Sequence, residues 1–212
     1  MIIAVDGPAA SGKGTLARRL ADTYKLAYLD SGALYRAVAI ALLNEDKDPS
    51  NEAASVAAAK GLALSAVMAE DLRSDRVAEA ASKVATIPAV RQVLLNFQQG
   101  FAREPGTGFA GAIIDGRDIG TIVCPNADIK IFVTARIEVR VRRRVKELRE
   151  RGEDAIEARV LADMRERDKR DSTRSIAPLV SAGDAWILDV SELDADETFE
   201  AAKTHIDKCF RI

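Results

Sequence analysis

Near the start of this 212-residue chain, Ile2-Ile3-Ala4-Val5-Asp6 is followed directly by Gly7-Pro8-Ala9-Ala10-Ser11-Gly12-Lys13-Gly14-Thr15, and this succession indicates the class of fold. The first five residues are an apolar run with the length of a buried strand, and apolar residues recur at helical spacing between Lys13 and Lys25. The spacing G-x-x-x-x-G-K from Gly7 to Lys13 is that of a P-loop, a phosphate-binding turn between a strand and a helix. We therefore predict that Gly7 to Thr15 binds the phosphates of a nucleoside triphosphate.

The chemistry of such a loop follows from its backbone. Its N–H groups turn inward to form an anion-binding nest, and the helix behind it adds further free N–H donors. Gly7 and Gly12 permit a backbone geometry that a Cβ would hinder, and Lys13 supplies a positive charge to the β- and γ-phosphates. Gly14 stands where many P-loops have the Ser or Thr that binds Mg²⁺, and Thr15 comes one residue later. We therefore expect no direct protein ligand to Mg²⁺.

Strand-like and helix-like segments alternate along the rest of the chain. Four more apolar runs follow, at Ala27–Asp30, Ala112–Gly116, Ile129–Val133 and Trp186–Val190. This pattern predicts an α/β P-loop fold, with a five-stranded parallel sheet flanked by helices. We expect a single kinase-type domain over residues 1–212, with two insertions: an acceptor-binding lobe at about residues 31–103 and a lid at about residues 145–160.

Helix boundaries can also be predicted. Ser31 is expected to cap a helix, Asn51 to Lys83 to form two helical pieces, and Pro88 to begin a helix that reaches Arg103. Ile137–Arg151 and Ile156–Lys169 are expected as charged helices, and Asp194 with Glu197 forms a capping box for the last one.

Composition limits the class of protein. The 31 Lys and Arg nearly balance the 33 Asp and Glu, which argues against general affinity for nucleic acid.

Neither a signal peptide nor an apolar run of membrane-spanning length is visible, so we expect a cytoplasmic protein. Cys124 and Cys209 form no C-x-x-C pair and His205 has no neighbouring cluster in the sequence; we expect neither a disulfide nor a zinc site.

Polar residues follow two of the predicted strands. Arg36 lies on the helix after Asp30, where its planar guanidinium could bind an acceptor phosphate, although a solvent-exposed role is also possible. Asp115 could hold Mg²⁺ or its waters, and Arg117 could neutralise phosphate charge. Taken alone, Asp115 to Asp118 could equally be an ordinary turn.

Four motifs in this order and spacing closely resemble the bacterial cytidylate kinases: GPAASGKGT at 7–15, LDSGALYR at 29–36, IDGRDIGT at 114–121 and RERDKRDSTRSIAPL at 165–179. The resemblance spans almost the whole chain. It implies transfer of the γ-phosphate of ATP to CMP or dCMP, with Mg²⁺. In one place the chain departs from the family, because Gly61 to Ala80 is short and Ala-rich where many members carry a longer, strand-rich insert.

The resemblance also implies roles for individual residues. Arginines matching Arg36, Arg117 and Arg174 would grip the CMP phosphate, with Ser31 and Tyr35 beside them. Residues matching Ser82, Arg91 and Asp118 would read cytosine, and the pair matching Arg167 and Asp171 would hold the sugar. Lys13, Arg117, Arg167 and Arg174 would surround the transferred group, with Asp115 ordering the waters of Mg²⁺.

Arginines crowd the segment from Arg136 to Arg174. They could form a solvated helix with i,i+4 ion pairs or a nucleic-acid patch, but a mobile lid that brings positive charge to the phosphates fits better beside a P-loop. By resemblance to related kinases, Arg140 would pack on adenine and Arg144 would lie by the phosphates.

Other functions stay open at this point. The nearest enzyme alternative is another P-loop kinase, acting on AMP, UMP or shikimate. A nucleotide-dependent binding switch and a basic RNA-binding module are further alternatives. For the kinase, we expect small-molecule partners only, no nucleic acid, no membrane, and a monomer.

Overall fold

The computed structural model describes residues 1–62 and 74–210. Five strands are present in these residues: β1 (Ile2–Asp6), β2 (Ala27–Asp30), β3 (Ala112–Gly116), β4 (Ile129–Thr134) and β5 (Trp186–Asp189). The helices in the same residues are α1 (Lys13–Tyr24), α2 (Ser31–Asn44), α3 (Glu52–Lys60), α4 (Asp75–Val84), α5 (Pro88–Arg103), α6 (Ile137–Glu150), α7 (Glu157–Thr173) and α8 (Ala195–Phe210).

The strands form one parallel sheet in the order β2-β3-β1-β4-β5, as the alternating pattern predicted. β1 lies at its centre, with Val5 opposite Asp115 on one side and opposite Ile131 on the other. Ile3 and Val5 are fully buried because both faces of the sheet are covered by helices. The carboxyl ends of β1 and β3 are in register at Asp6 and Gly116, so the loops that follow them leave the sheet at the same edge.

Helix α1 follows the P-loop directly. It begins after Gly12, which has a left-handed backbone (φ 90°), and its last residue, Tyr24, is followed by Lys25, a C-cap that is also left-handed. One face carries Leu16, Leu20 and Ala21 into the main apolar core, together with Ile206 of α8. Burial of this face fixes the start of α1, and therefore Lys13, against the sheet.

The chain divides into two compact units. One comprises Met1–Tyr28 and Pro105–Ile212, and the other comprises Leu29–Glu104. The first contains the P-loop, most of the sheet and helices α6 to α8. The second contains α2 to α5, in which α2 packs against α3 and α4.

Most element boundaries agree with the sequence patterns, and α5 begins and ends as predicted. The capping box is also confirmed, because Asp194 accepts from the Glu197 N–H while the Glu197 carboxylate accepts from the Asp194 N–H. The predicted cap at Ser31 was wrong. Asp30 is the N-cap of α2, since its carboxylate accepts the Ala33 N–H and Ser31 is already helical.

Two other features differ from the prediction. Helix α7 continues four residues beyond Lys169, to Thr173, whose hydroxyl donates to the Lys169 carbonyl. A short π-helical segment, Ile119–Val123, comes after Asp118, and no element was predicted there. Part of the shortened insert, residues 63–73, lies outside the described residues.

Candidate active site

The P-loop has the backbone geometry that its glycines predict. A Cβ on Gly7 would lie 2.1 Å from the Val133 carbonyl oxygen, so a side chain at this position cannot fit against β4. Ala10 has a positive φ of 57° and Gly12 one of 90°. Left-handed residues alternating with ordinary ones turn successive N–H groups to one side of the chain, which is the arrangement of an anion nest.

Three carbonyl groups of the loop are held by cationic side chains. Lys13 Nζ lies 3.4 Å from the Pro8 oxygen, Arg140 Nη1 lies 3.3 Å from the Ala9 oxygen, and Arg143 Nη1 lies 3.4 Å from the Ser11 oxygen. In a trans peptide the C=O and the next N–H point in opposite directions. Holding the carbonyls on one side therefore orients the N–H groups of residues 9, 10 and 12 toward the other.

Arg140 is buried beneath the loop. Its Nε donates to the Ala135 carbonyl at 3.0 Å and its Nη2 to Asp168 at 2.7 Å, in addition to the contact with Ala9. This position joins α6, α7 and the P-loop. Packing of Arg140 on adenine, and a phosphate contact by Arg144, stay predictions; Arg144 pairs with Glu147 at 2.9 Å.

Arg143 is a site residue that the sequence reasoning missed. Its Nη2 donates to the carbonyls of Val190 at 2.9 Å and Leu193 at 3.1 Å, so it ties the P-loop to the segment after β5. Burial, with a smaller effect from the neighbouring Arg142 charge, lowers the pKa of its guanidinium. The sequence offered only a run of three arginines, 142–144, and nothing in the run singles out the middle one.

The space beside Gly14 explains why the residue after Lys13 lacks a side chain. A Cβ on Gly14 would lie 2.9 Å from Oδ2 of Asp115 and 3.7 Å from the Tyr28 hydroxyl. Asp115 is 4% exposed, so its carboxylate has little room to move away. The carboxylate at the end of β3 thus occupies the place next to α1 where other P-loops have a hydroxyl.

The loop after β3 leads into a group of charged residues. Arg117 Nε donates to Asp171 Oδ2 at 2.9 Å, and Arg174 Nη2 lies 3.6 Å from Asp118 Oδ1. Burial alone would raise the pKa of Asp171, but the charges of Arg117 and Arg167 outweigh it and hold that pKa below its usual range. The structure therefore brings together five of the predicted residues, which we call the arginine cluster: Arg117, Asp118, Arg167, Asp171 and Arg174.

The Leu29–Glu104 unit carries the remaining predicted residues. Arg36 Nη2 donates to Asp30 Oδ2 at 2.6 Å, and a Cβ on Gly32 would lie 2.9 Å from Arg36 Nη1. Gly32 thus leaves room for the Arg36 guanidinium to fold back over the start of α2.

The other four predicted residues of this unit lie on three helices: Ser31 and Tyr35 on α2, Ser82 on α4 and Arg91 on α5. Ser31 is buried, and Ser82 on α4 is half-buried. On α5, Arg91 is 8% exposed, with its guanidinium 5.7 Å from the centre of the Tyr35 ring.

Two observations bear on what the site could bind. The Ser11 hydroxyl is completely buried in the P-loop and has no hydrogen-bond partner among the described residues, as expected of a group that awaits a ligand. Across residues 1–62 and 74–210, no three His, Cys, Asp or Glu side chains converge as a metal-binding group.

In the same residues, no helix is both long and apolar enough to cross a membrane.

Known structures share this fold. An uncharacterised protein from Eubacterium ventriosum superimposes with a TM-score of 0.58 at 20% identity, covering 98% of both chains. Shikimate kinase from Bacteroides thetaiotaomicron gives a TM-score of 0.52 at 12% identity, covering 100% of this chain and 99% of that one. Identities this low support the fold alone.

Sequence comparison is more specific. Residues 3–208 match the family model described as cytidylate kinase. The cytidylate kinases of Paramagnetospirillum magneticum and Rhodospirillum rubrum are 57% and 54% identical, each alignment covering 95% of this chain and 95% of the relative. That of Methylocella silvestris is 56% identical, over 95% of this chain and 92% of the relative. With the P-loop, the arginine cluster and this similarity along its length, the chain belongs to the cytidylate kinase family.

Proposed function

We propose that this protein transfers the γ-phosphate of ATP to CMP or dCMP, giving ADP and CDP or dCDP. The observation that carries the proposal is the arginine cluster, which lies in the same compact unit as the P-loop. Arg117 follows β3, the strand adjacent to β1, while Arg167 and Arg174 come from the second half and the C-cap of α7. A phosphate-binding loop and three arginines in one unit suit a reaction between two polyanions.

ATP would bind through the P-loop, residues Gly7 to Thr15. The N–H groups oriented by Lys13, Arg140 and Arg143 would donate to oxygens of the β- and γ-phosphates, and the buried Ser11 hydroxyl is an unused donor in the same loop. Lys13 would lie against the transferred group. Arg140 and Arg144 are carried from the resemblance as further ATP-binding residues.

Asp115 fits a role in holding Mg²⁺ through water. A buried carboxylate at a strand end, next to the first turn of α1, offers hard oxygen ligands of the kind that Mg²⁺ prefers. When bound, Mg²⁺ would neutralise charge on the ATP phosphates. The crowding between Asp115 and Gly14 leaves no place for a hydroxyl ligand at position 14.

The acceptor would be held by the residues that the family resemblance indicates. Arg36, Arg117 and Arg174 would bind the phosphate of CMP, with Ser31 and Tyr35 beside it, and Arg167 with Asp171 would hold the sugar. Arg117 and Asp171 already form an ion pair, so the guanidinium is oriented before substrate arrives.

Base recognition is proposed for Ser82, Arg91 and Asp118. Cytosine offers an N4 amino donor beside the N3 and O2 acceptors, so a carboxylate can accept from it while Arg and Ser donate to it. Uracil has a carbonyl at the N4 position and would face the Asp118 carboxylate unpaired. Asp118→Ala should therefore weaken discrimination against UMP, and unchanged discrimination would overturn this role.

Catalysis would consist of positioning and charge neutralisation. A phosphate acceptor is already anionic near pH 7, so no general base is needed. Lys13, Arg117, Arg167 and Arg174 would surround the migrating group. The turn between α6 and α7, within the lid at about residues 145–160, would exclude water when it closes. Cytoplasmic location and a monomeric state are part of the same proposal.

A coupled assay that compares CMP, dCMP, UMP and AMP at fixed ATP and Mg²⁺ tests the function. We expect rapid ADP formation with CMP and dCMP and much slower turnover with UMP and AMP. Preference for AMP, UMP or shikimate would assign another P-loop kinase activity. ADP formation that does not depend on any acceptor would favour a nucleotide switch. Tight, salt-sensitive RNA binding without turnover would favour the RNA-binding alternative.

A further inference from the structure

Outside the active site, His205 and Cys209 lie in contact on α8. They are one helical turn apart, and the Cys209 Sγ atom is 3.8 Å from Nε2 of His205. Cys209 is an exposed free thiol and His205 is half-buried. The sequence predicted no zinc site, because the two cysteines form no C-x-x-C pair and no His or Cys cluster was recognised around His205.

The distance between the two atoms suits a shared metal ion. Zinc binds thiolate sulfur at about 2.3 Å and imidazole nitrogen at about 2.0–2.1 Å, with tetrahedral angles, which places the two ligand atoms about 3.6 Å apart. The observed 3.8 Å is close to this value, so both atoms could bind one ion without moving α8. A hard cation such as Mg²⁺ prefers oxygen ligands and would not compete for this pair.

The imidazole is held in place before any metal arrives. Its ring stacks on Trp186 of β5, with ring centres 4.2 Å apart and planes inclined by 9°. Trp186 itself packs against the main apolar core. Burial, with a smaller effect from the Lys208 charge, lowers the pKa of His205, and the neutral imidazole is the form that binds metals.

We propose that His205 and Cys209 form a two-ligand surface site for a borderline-soft divalent cation of the Zn²⁺ type, with water completing the coordination. The juxtaposition of an exposed thiol and a fixed imidazole nitrogen carries this proposal, which goes beyond the proposed kinase function and does not depend on it. Neither residue belongs to the P-loop or the arginine cluster.

The chain offers a direct optical test. It has one tryptophan and one histidine, and they are stacked on each other. The full chain, prepared without a polyhistidine tag and under reducing conditions, would be titrated with Zn²⁺ while Trp186 fluorescence is recorded. Cd²⁺ in a parallel titration would report thiolate coordination through its charge-transfer absorption.

We expect one Zn²⁺ per chain, a change in Trp186 fluorescence, and persistence of both in excess Mg²⁺. Cys209→Ser and His205→Gln should each weaken binding about ten-fold or more, because each removes one of two coordinate bonds. Cys124→Ala, at the other cysteine, should bind as the parent does. Kinase turnover without Zn²⁺ should be unchanged in Cys209→Ser and His205→Gln, which also reports that they fold.

Two results would overturn the proposal. One is the absence of Zn²⁺ binding by the parent at concentrations that saturate a comparable two-ligand site. The other is parent-like binding by both Cys209→Ser and His205→Gln, which would assign the cation to a different part of the chain.

Discussion

Gly120 donates its backbone N–H to the Oδ2 atom of Asp6 at 2.7 Å, across 114 residues of sequence. The other carboxylate oxygen, Oδ1, accepts the Ile119 N–H at 2.8 Å. Asp6 thus joins the end of β1, immediately before the P-loop, to the start of the π-helical segment after Asp118. One buried side chain connects the two loops on which the proposed chemistry depends.

This connection predicts a pH-dependent stability. Burial raises the pKa of Asp6 from 3.8 to about 6, although its two N–H partners oppose the rise. Because the folded-state pKa is raised, the stabilising contribution of the protonated form is complete below the ordinary pKa of 3.8 and is lost as pH rises through about 6. We expect the stability advantage of the parent over Asp6→Asn to fall by about 2 kcal/mol from about pH 4 to about pH 7.

Urea unfolding of the parent and of Asp6→Asn over this pH range measures the effect. Asp22→Asn, at an exposed position of α1, is the control for the loss of one carboxylate. A stability difference between parent and Asp6→Asn that stays constant with pH would contradict the assignment.

Removal of the P-loop charge should slow turnover by orders of magnitude. Lys13→Ala removes the ammonium group from the phosphate nest, and we expect kcat to fall about 100-fold or more, because charge stabilisation in a preorganised site contributes at least that much. Circular dichroism should report an unchanged fold, since Lys13 is only partly buried. Activity within a few-fold of the parent would refute the proposed role of the loop.

Gly14→Ala should impair the enzyme through Asp115. The added Cβ would meet Asp115 Oδ2 at 2.9 Å and displace a carboxylate that has little free space. We expect a loss of stability of about 1–3 kcal/mol from overpacking and a fall in kcat of about ten- to a hundred-fold from the displaced carboxylate. Gly183→Ala, where no atom lies within 4 Å of the added Cβ, should behave as the parent does. Parent-like turnover by Gly14→Ala would show that the position of Asp115 is unimportant.

Arg143→Lys tests the anchoring of the P-loop from α6. Lysine keeps the charge, but its single ammonium cannot donate to the carbonyls of Ser11, Val190 and Leu193 as the planar guanidinium does. We expect KM for ATP to rise roughly ten-fold while KM for CMP is unchanged, since the lost bonds orient the loop. The neighbouring, exposed Arg142→Lys is the matched control. Equal changes in KM for both substrates would argue against a specific effect on the P-loop.

Asp171→Asn tests the arginine cluster. Neutralising Asp171 leaves Arg117 with a weaker acceptor, so we expect KM for CMP to rise with little change in KM for ATP. Because arginine charges lower the pKa of Asp171 in the folded protein, its contribution to stability is present above its ordinary pKa and is lost as the pH falls through the lowered value. Parent and Asp171→Asn should differ in unfolding free energy near neutral pH and converge in acid. A difference in stability that persists in strong acid would exclude the ion pair as its source.

The elements that the sequence predicted correctly obey short-range rules. Ile2 to Asp6 and the helix after Lys13 were recognisable because a strand, a glycine-rich turn and an amphipathic helix each have a short-range pattern. The cap of α2 was assigned wrongly because Asp30 and Ser31 are both good capping residues in adjacent positions. Only the structure shows that the Asp30 carboxylate accepts the Ala33 N–H and that Ser31 is already part of the helix.

Other contacts could not be found by such rules. Arg143 of the candidate site has arginines on both sides, and its role depends on which of the three points toward Ser11 and Leu193, both far from it along the chain. Outside that site, His205 and Cys209 are one helical turn apart, so their spacing is local, but the stacking of His205 on Trp186 joins two elements and needed the tertiary structure.

The α/β class, the P-loop from Gly7 to Thr15 and the family could be predicted from the chain, because they depend on the order and spacing of residues. Three relationships were visible only after folding: how Asp6 connects β1 to Gly120, why Gly14 must lack a side chain beside Asp115, and which acid pairs with Arg117. Burial and close approach between distant segments set these relationships, and both arise only when the sheet brings the ends of its strands to a common edge.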